Sequence, residues 1–212
     1  MNKKILILNH HGIGDVLMNV PLIKTLHNQN FEIDMTFKSN LEQSLIEPMN
    51  IVKKSYLYDF RRKKFPNNII NLILFMNQLR KEKYDIGFST CGTSVFYSKL
   101  LFKFLGIKKI IISEESAESN NHKSKINLHL LTQLKIHRDD FIDDFSIQFP
   151  KNFKSFSVPK NYICLHPGSG PFETHKRMKL KDFKKIFNLL PEMNFIITGS
   201  EIEKDQCEEL FN

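Results

Sequence analysis

Asp15 stands in the segment NHHGIGDVLMNVP, directly after a short apolar run, ILIL. Gly12 and Gly14 precede it, and the helical spacing of the apolar residues that follow places it in a first helical turn. A carboxylate there can do either of two things. It can serve the helix, as a cap or a first-turn acid favoured by the helix dipole, worth roughly 0.5–2 kcal/mol. It can instead face a cleft at the carboxyl end of the first strand and take a proton from an incoming hydroxyl, as a general base. Gly12 and Gly14 would let that acceptor approach the backbone closely. A dinucleotide site is disfavoured. The fingerprint G-x-G-x-x-G needs a third glycine where Leu17 stands, and Asp15 would oppose a pyrophosphate with like charge. His10 and His11 are adjacent, diverge on an extended backbone and make no two-histidine metal site.

A second loop, HPGSGPFETHK, follows the apolar run YICL. Gly168, Ser169 and Gly170 can expose consecutive backbone N–H groups as an anion-binding nest. Ser169 adds a hydroxyl and Lys176 a movable positive charge, so the loop could hold a diphosphate and stabilise it as it leaves. The plainer reading is a strand–helix connection with an exposed lysine. No G-x-x-x-x-G-K-[S/T] occurs, so this is not a P-loop. Glu201 and Glu203 follow Gly199 after the next strand. An acid there can bind ribose hydroxyls, and serves equally well as a solvated acid at a helix start.

The elements that must position these residues alternate. KILILN (4–9), FEIDMTF (31–37), VKKSYLYDF, YDIGFST (84–90), IKKIIIS (107–113), YICLH (162–166) and NFIITG read as strands. Between them DVLMNVPLIKTLHNQ, SNLEQSLIEP, NNIINLILFMNQLRKEK (67–83), SVFYSKLLFKFLG, INLHLLTQLKI and KLKDFKKIFNLL read as helices. Pro21 either kinks the first helix or opens a second one. SEIEKDQCEELFN is a loop entering a last helix. Alternation of this kind predicts an α/β fold with mostly parallel sheets. The order strand, glycine loop, helix opens at residue 5 and again at residue 162, predicting two Rossmann-like domains, 1–150 and 160–212. Residues 138–160, charged and carrying two prolines, read as the connection, with at most one short strand.

The 41% hydrophobic and 25% charged residues are ordinary for a globular chain. A net charge of +8 and a pI near 9.3 favour anionic partners: nucleic acid, acidic lipid headgroups or phosphorylated sugars. The lysines are scattered, and RRKKF at 61–65 is the one dense basic patch, read as a solvated loop. Nucleic acid is therefore not an expected partner. Cys91, Cys164 and Cys207 have no metal spacing and read as free thiols of a reducing compartment. The initial apolar run is shorter than the ~7–15 residues of a signal-peptide core, and no run approaches the ~18 of a membrane span. A soluble cytoplasmic protein is the expectation.

The segments GIGDVLMNVPLIKTL, KYDIGFSTCG, NLHLLTQL, HPGSGPFETHKRMKLKDF and NFIITGSEIE arrive in an order that resembles the ADP-heptose:lipopolysaccharide heptosyltransferase family, glycosyltransferase family 9. The resemblance covers nearly the whole chain, and the G-I-G-D-V…P-L start paired with the H-P-G…K loop carries it. It implies a GT-B fold with an N-terminal acceptor domain and a C-terminal domain for a nucleotide-sugar donor such as ADP-heptose. It implies inverting transfer to lipopolysaccharide core or another surface glycan, with no cofactor and no required metal. By the same resemblance Asp15 matches the catalytic base, Ser169 and Gly170 the phosphate-contacting pair, Lys176 the lysine on the donor phosphates and Glu203 the ribose-binding acid. The acceptor would be a lipid-linked glycan at the inner membrane surface, with the protein a monomer peripheral to it.

Some positions depart from the pattern. STCG at 89–92 lacks the acid often found after that strand, Met178 stands where tryptophan is common, and the phosphate loop is slightly longer than in some members. A D-[S/T]-G-x-x-H segment is absent, and Tyr162 to Asn212 is only 51 residues, about two strand–helix units. The C-terminal domain is therefore expected to be truncated. The alternative reading is a non-catalytic fragment or paralogue of such an enzyme.

Overall fold

The run ILIL offers water no side, and it becomes the core of a central strand in a five-stranded parallel sheet. The computed structural model describes residues 2–9, 12–58, 67–90, 94–113, 122–148, 157–169 and 177–211. The central strand is β1 (Lys4–Leu8). It lies between β2 (Glu32–Phe37) and β4 (Ile86–Ser89), with β3 (Lys54–Leu57) outside β2 and β5 (Lys109–Ile112) outside β4. Ile5 stands in register with Ile33 on one side and Ile86 on the other. Ile5 and Ile7 point to one face and Leu6 and Leu8 to the other, all fully buried. The first face is covered by α1 (Ile13–Met18), α2 (Val20–Asn28), α3 (Asn40–Ile46) and α6 (Lys123–His129), through Val16, Val20, Ile46 and Leu128. The second is covered by α4 (Asn67–Lys81) and α5 (Val95–Phe104), through Phe75, Leu79, Leu101 and Phe102. Phe102 lies so close to β4 that a methyl group on Gly87 would meet its ring at 2.5 Å.

The chain divides into two compact units, Met1–Phe153 and Lys154–Asn212. The doubly wound sheet belongs to the first. The second holds β6 (Tyr162–Leu165) and β7 (Asn194–Ile197), paired in parallel, with α7 (Leu180–Leu189) and α8 (Lys204–Phe211). Phe187 of α7 packs on Phe195 of β7 at 4.6 Å between ring centroids. Its hydrophobic burial is thin: among the described residues Phe183 and Leu210 are buried, while Leu189 and Phe211 are largely exposed.

Three local expectations are refined. Pro21 opens a second helix: α1 ends at Met18, and Asn19 links it to α2, where Pro21 sits in the first turn. INLHLLTQLKI is entered earlier, at Lys123, and tightens into a 3₁₀ turn at Leu130–Leu134. Residues 138–148 are not a free connection. The Ile142 N–H donates to Thr25 Oγ1 at 2.9 Å, Lys24 reaches Asp144 and Ser146, and Phe141 and Ile147 pack on the core of the first unit. Thr25 is fully buried on α2, so this strap takes up its hydroxyl as well as covering apolar surface. Among the described residues the stretch contains a 3₁₀ turn, Arg138–Asp140, and no strand.

The alternation in FEIDMTF would send Asp34 and Thr36 to water, yet both are fully buried. Thr36 Oγ1 accepts the Asn9 N–H at 3.0 Å. Asp34 Oδ2 lies 3.1 Å from Lys4 Nζ and accepts the Tyr84 hydroxyl at 2.8 Å. Lys4 also donates to Glu82 at 2.6 Å, and Lys54 donates to the other Glu82 oxygen at 2.7 Å. Burial alone would lower the Lys4 ammonium, but its bonds to Glu82 and Asp34 outweigh that and hold it above the usual lysine range. The bond from Lys4, seconded by Lys54, pulls Glu82 down to about 2.

Lys4→Met leaves Asp34 buried without its cation and should cost about 3 kcal/mol in urea unfolding. The pH dependence follows from Glu82, whose pKa is depressed on folding. Its contribution is complete above the ordinary value of 4.5 and is lost as the pH falls towards about 2. Wild type should therefore lose stability across that window, and Lys4→Met should lose less.

Candidate functional site

The chain leaves β1 towards one face of the sheet and β4 towards the other. The crevice beyond the carboxyl ends of these neighbouring strands is the topological switch point, where doubly wound sheets place their ligands. Asp15 lies there, as the third residue of α1. Gly12 begins the helix in an extended conformation, and its carbonyl accepts the N–H groups of Asp15 at 3.1 Å and Val16 at 3.2 Å. Among the described residues a methyl group on Gly12 or Gly14 would meet nothing within 4 Å. Packing against the described residues does not demand these glycines, and it leaves the surface over them open. His10 and His11 lie outside the described residues, as does Cys91.

The Asp15 carboxylate accepts a hydrogen bond from Lys123 Nζ at 2.9 Å. One turn further along both helices the pattern repeats with neutral groups. Asn127 Nδ2 donates to Asn19 Oδ1 at 2.8 Å, and Asn19 Nδ2 reaches Asn9 Oδ1 at 3.4 Å. Asn9, Asn19 and Asn127 are buried. Residues 15 and 19 are four apart, and so are 123 and 127, so each pair shares one helix face and the two faces zip together. The switch-point loop is thereby locked to α6. Sequence reasoning found Asp15 and missed Lys123, Asn19 and Asn127. The matched four-residue spacing was visible, but nothing in it said that the two segments meet.

In the second unit, Ser169 follows β6 and is gripped by Arg177, whose Nε donates to Ser169 Oγ at 3.1 Å and whose Nη2 donates to the Ser169 carbonyl at 3.0 Å. Arg177 is a cation at this loop that sequence reasoning did not single out. Gly170 and Lys176 lie outside the described residues. Glu203 is buried beneath the loop. Its Oε2 accepts the Ser200 N–H at 2.8 Å and the Ser200 hydroxyl at 2.7 Å, closing a capping box at the entry to α8. These bonds from Ser200 hold the carboxyl below the usual glutamate range. Its Oε1 faces Gly168, where a methyl group would overlap it, and lies 3.9 Å from His166 Nε2. His166 Nδ1 donates to the Thr198 carbonyl at 3.0 Å, which fixes the ring. Gly168 is thus required by the carboxylate beneath it. Glu201, beside it, is exposed.

Among the described residues no three His, Cys, Asp or Glu side chains converge to hold a metal ion, and Cys164 and Cys207 are free thiols. Two open concavities of about 590 and 670 Å³ flank α6 in the first unit, one bordered by His129, Arg138 and Asp143, the other by Lys99, Ser113 and Gln133. Asp15 borders neither.

No family model and no curated protein matches the sequence. Solved structures do match. A glycosyl transferase family 9 protein from Veillonella parvula superposes with a TM-score of 0.72 over 99% of this chain and 67% of its own, at 14% identity. The E. coli heptosyltransferase WaaC, solved with ADP-2-deoxy-2-fluoro heptose, gives 0.70 over 98% and 72%, also at 14% identity. The chain has the GT-B fold. A UDP-GlcNAc 2-epimerase from Methanocaldococcus jannaschii shares it more distantly, with a TM-score of 0.55 over 100% of this chain and 69% of that one, at 16% identity. The glycosyltransferase family 9 resemblance read from the motifs thus agrees with the fold of the solved structures.

Two substitutions test the local geometry. Asn127→Leu leaves Asn19 Oδ1 without its donor and should cost ~1–3 kcal/mol in chemical denaturation. Gly168→Ala must push the Glu203 carboxylate out of the capping box and should cost about 1 kcal/mol, whereas Gly14→Ala, at a helical position, should hold or slightly raise the melting temperature.

Proposed function

We propose that the chain acts in inverting glycosyl transfer, moving a heptose or related sugar from a nucleotide-diphosphate donor to lipopolysaccharide core or another surface glycan. The observation that carries this reading is the Asp15 carboxylate at the switch point of a GT-B sheet, held by Lys123 beneath an open glycine surface. In this mechanism Asp15 takes the proton of the acceptor hydroxyl. The hydroxyl oxygen forms a bond to the anomeric carbon from the face opposite the leaving group. The bond from that carbon to the diphosphate oxygen breaks, inverting the centre, and the nucleotide diphosphate departs with the electron pair. Ser169 and Gly170, with Lys176 and the neighbouring Arg177, would receive the diphosphate charge, so the reaction needs no metal. Glu203 would reach the donor ribose only by leaving its capping box. It is the least direct of the proposed contacts.

The alternative, a non-catalytic fragment or paralogue, draws support from the thin burial of the second unit. One assay addresses both readings. With a panel of nucleotide-diphospho-heptose and hexose donors and a soluble core-glycan acceptor, the wild-type chain should release nucleotide diphosphate and form glycoside. Asp15→Asn should lower that rate by about 10²–10⁴-fold while donor affinity and melting temperature stay at wild-type values. An Asp15→Asn chain that turns over like wild type overturns the base assignment. A wild-type chain that transfers nothing from any donor favours the non-catalytic reading.

A further inference from the structure

Ser113 extends β5 by one residue, donating its N–H to the Ser89 carbonyl at 3.3 Å. Its side chain does nothing for the fold. The residue is 4% exposed, and its Oγ is buried with no hydrogen-bond partner among the described residues. Asn9 and Asp34 also bury an unpaired atom, but each is held through its other side-chain atom. Ser113 has only the one hydroxyl, and a buried hydroxyl without a partner is destabilising. Unlike the other two, it borders an open concavity of about 670 Å³.

The concavity wraps the outer edge of β5, the last strand of its sheet. Ile110 and Ile112 line it from the face that α5 covers. Ser113 lines it from the opposite face, by the alternation of the strand, where α6 packs. Ile126 of α6 and Leu130 of the turn after it complete an aliphatic wall. The other polar residues at its border are Lys99 on α5, His129 on α6 and Gln133 in the turn. Each of the four polar side chains can donate a hydrogen bond. For His129 the neighbour decides this: Arg138 Nη2, which can only donate, lies 3.2 Å from Nδ1, so the neutral ring carries its proton on Nε2. No Asp or Glu borders the concavity among the described residues. Aliphatic walls with a few convergent donors are the make-up of a small-molecule site, and the volume falls in the usual range of about 300–1,000 Å³. Donors without an acid select an anion. A docked strand fits this edge less well, because β5 has four residues and Lys108 and Lys109 at its start are exposed.

We propose that the concavity between α5, the edge of β5 and α6 binds a small organic anion, a carboxylate or phosphate carried on an apolar body. The anion takes the Ser113 hydroxyl as donor and meets the charge of Lys99, and the apolar body lies against Ile110, Ile112, Ile126 and Leu130. Asp15 does not border this concavity, and the inference does not depend on the glycosyl-transfer reading.

The test is an NMR titration of the full chain with phenylacetate, phenyl phosphate and the neutral phenylacetamide, following backbone amide shifts. At least one of the two anions should bind with a Kd of about 3 mM or tighter, as suits a ligand of this size, and shift the amides of β5, α5 and α6. Which of the two binds more tightly separates a carboxylate ligand from a phosphate ligand. Phenylacetamide should bind at least about tenfold more weakly. Ser113→Ala and Lys99→Gln should each raise the Kd of the anion by at least about fivefold. Ser113→Ala should also hold or raise the melting temperature of the unliganded chain, because it removes an unpaired buried hydroxyl, so its weaker binding is not unfolding. The proposal is overturned if neither anion binds, if phenylacetamide binds as tightly as the anions, or if both variants bind as wild type does. It is also overturned if the shifts centre on the Asp15 loop, which would place the anion in the crevice already described.

Discussion

Full burial of β1 on both faces sets the conditions for everything at its two ends. A central parallel strand can place only apolar side chains along its length, so polar groups collect where it begins and where it stops. At its start Lys4 enters the protein beside the buried Asp34, and Glu82 and Tyr84 add hydrogen bonds to the pair, while Asp34 Oδ1 stays buried without a partner among the described residues. At its end Asn9 is still fully buried; its backbone N–H is taken up by Thr36 and its side-chain oxygen by Asn19, while its Nδ2 is left without a partner among the described residues. The Asn9–Asn19–Asn127 chain is therefore first a solution to a burial problem. Its consequence is that the loop carrying Asp15 leaves the sheet on a fixed path and meets Lys123 of α6.

Much of this was legible in the sequence, and the line between what was and was not is a matter of range. Strands such as ILIL and helices such as NNIINLILFMNQLRKEK announce themselves because their periodicity is local. Asp15 was legible as a first-turn acid for the same reason. Lys123 and Asn127 were not, because they lie 108 residues from the groups they bind. FEIDMTF shows the same limit: its alternation marks a strand, but not that Lys4, Tyr84 and Asn9 would supply partners for Asp34 and Thr36 and let it be buried from Ile33 to Phe37. The strap at 138–148 fails in the same direction: a charged, aperiodic stretch looks like a connection until Thr25 and the core beneath it provide something to hold.

The fold and the chemistry are separate findings. The same two-unit fold superposes on a heptosyltransferase and, more loosely, on a nucleotide-sugar epimerase. Fold alone then leaves the reaction open. What separates the reactions is where a base stands and what it can reach. At the switch point the Asp15 carboxylate stands on a first helical turn, and it is there that the proposed reaction needs its base. In the second unit, Glu203 is committed to Ser200 and covered by Gly168, while Arg177 holds Ser169. Among the described residues the groups at the Ser169 end of the loop are thus a cation and a hydroxyl, with the acid turned into its capping box.

Orientation follows from the same topology. In a parallel α/β unit every helix that follows a strand starts at the carboxyl edge of the sheet. α1 follows β1 and α6 follows β5, so Asp15, third in α1, and Lys123, first in α6, both stand at that edge of the first unit. Their ion pair is therefore a consequence of strand order as much as of side-chain chemistry: 108 residues apart in the chain, they are brought to one edge by the parallel arrangement and meet at 2.9 Å. The apolar length of β1 excludes charge from the middle of the sheet, and the crossover connections return it to the edge, where the Asp15 carboxylate and the Lys123 ammonium offset one another in a partly exposed setting.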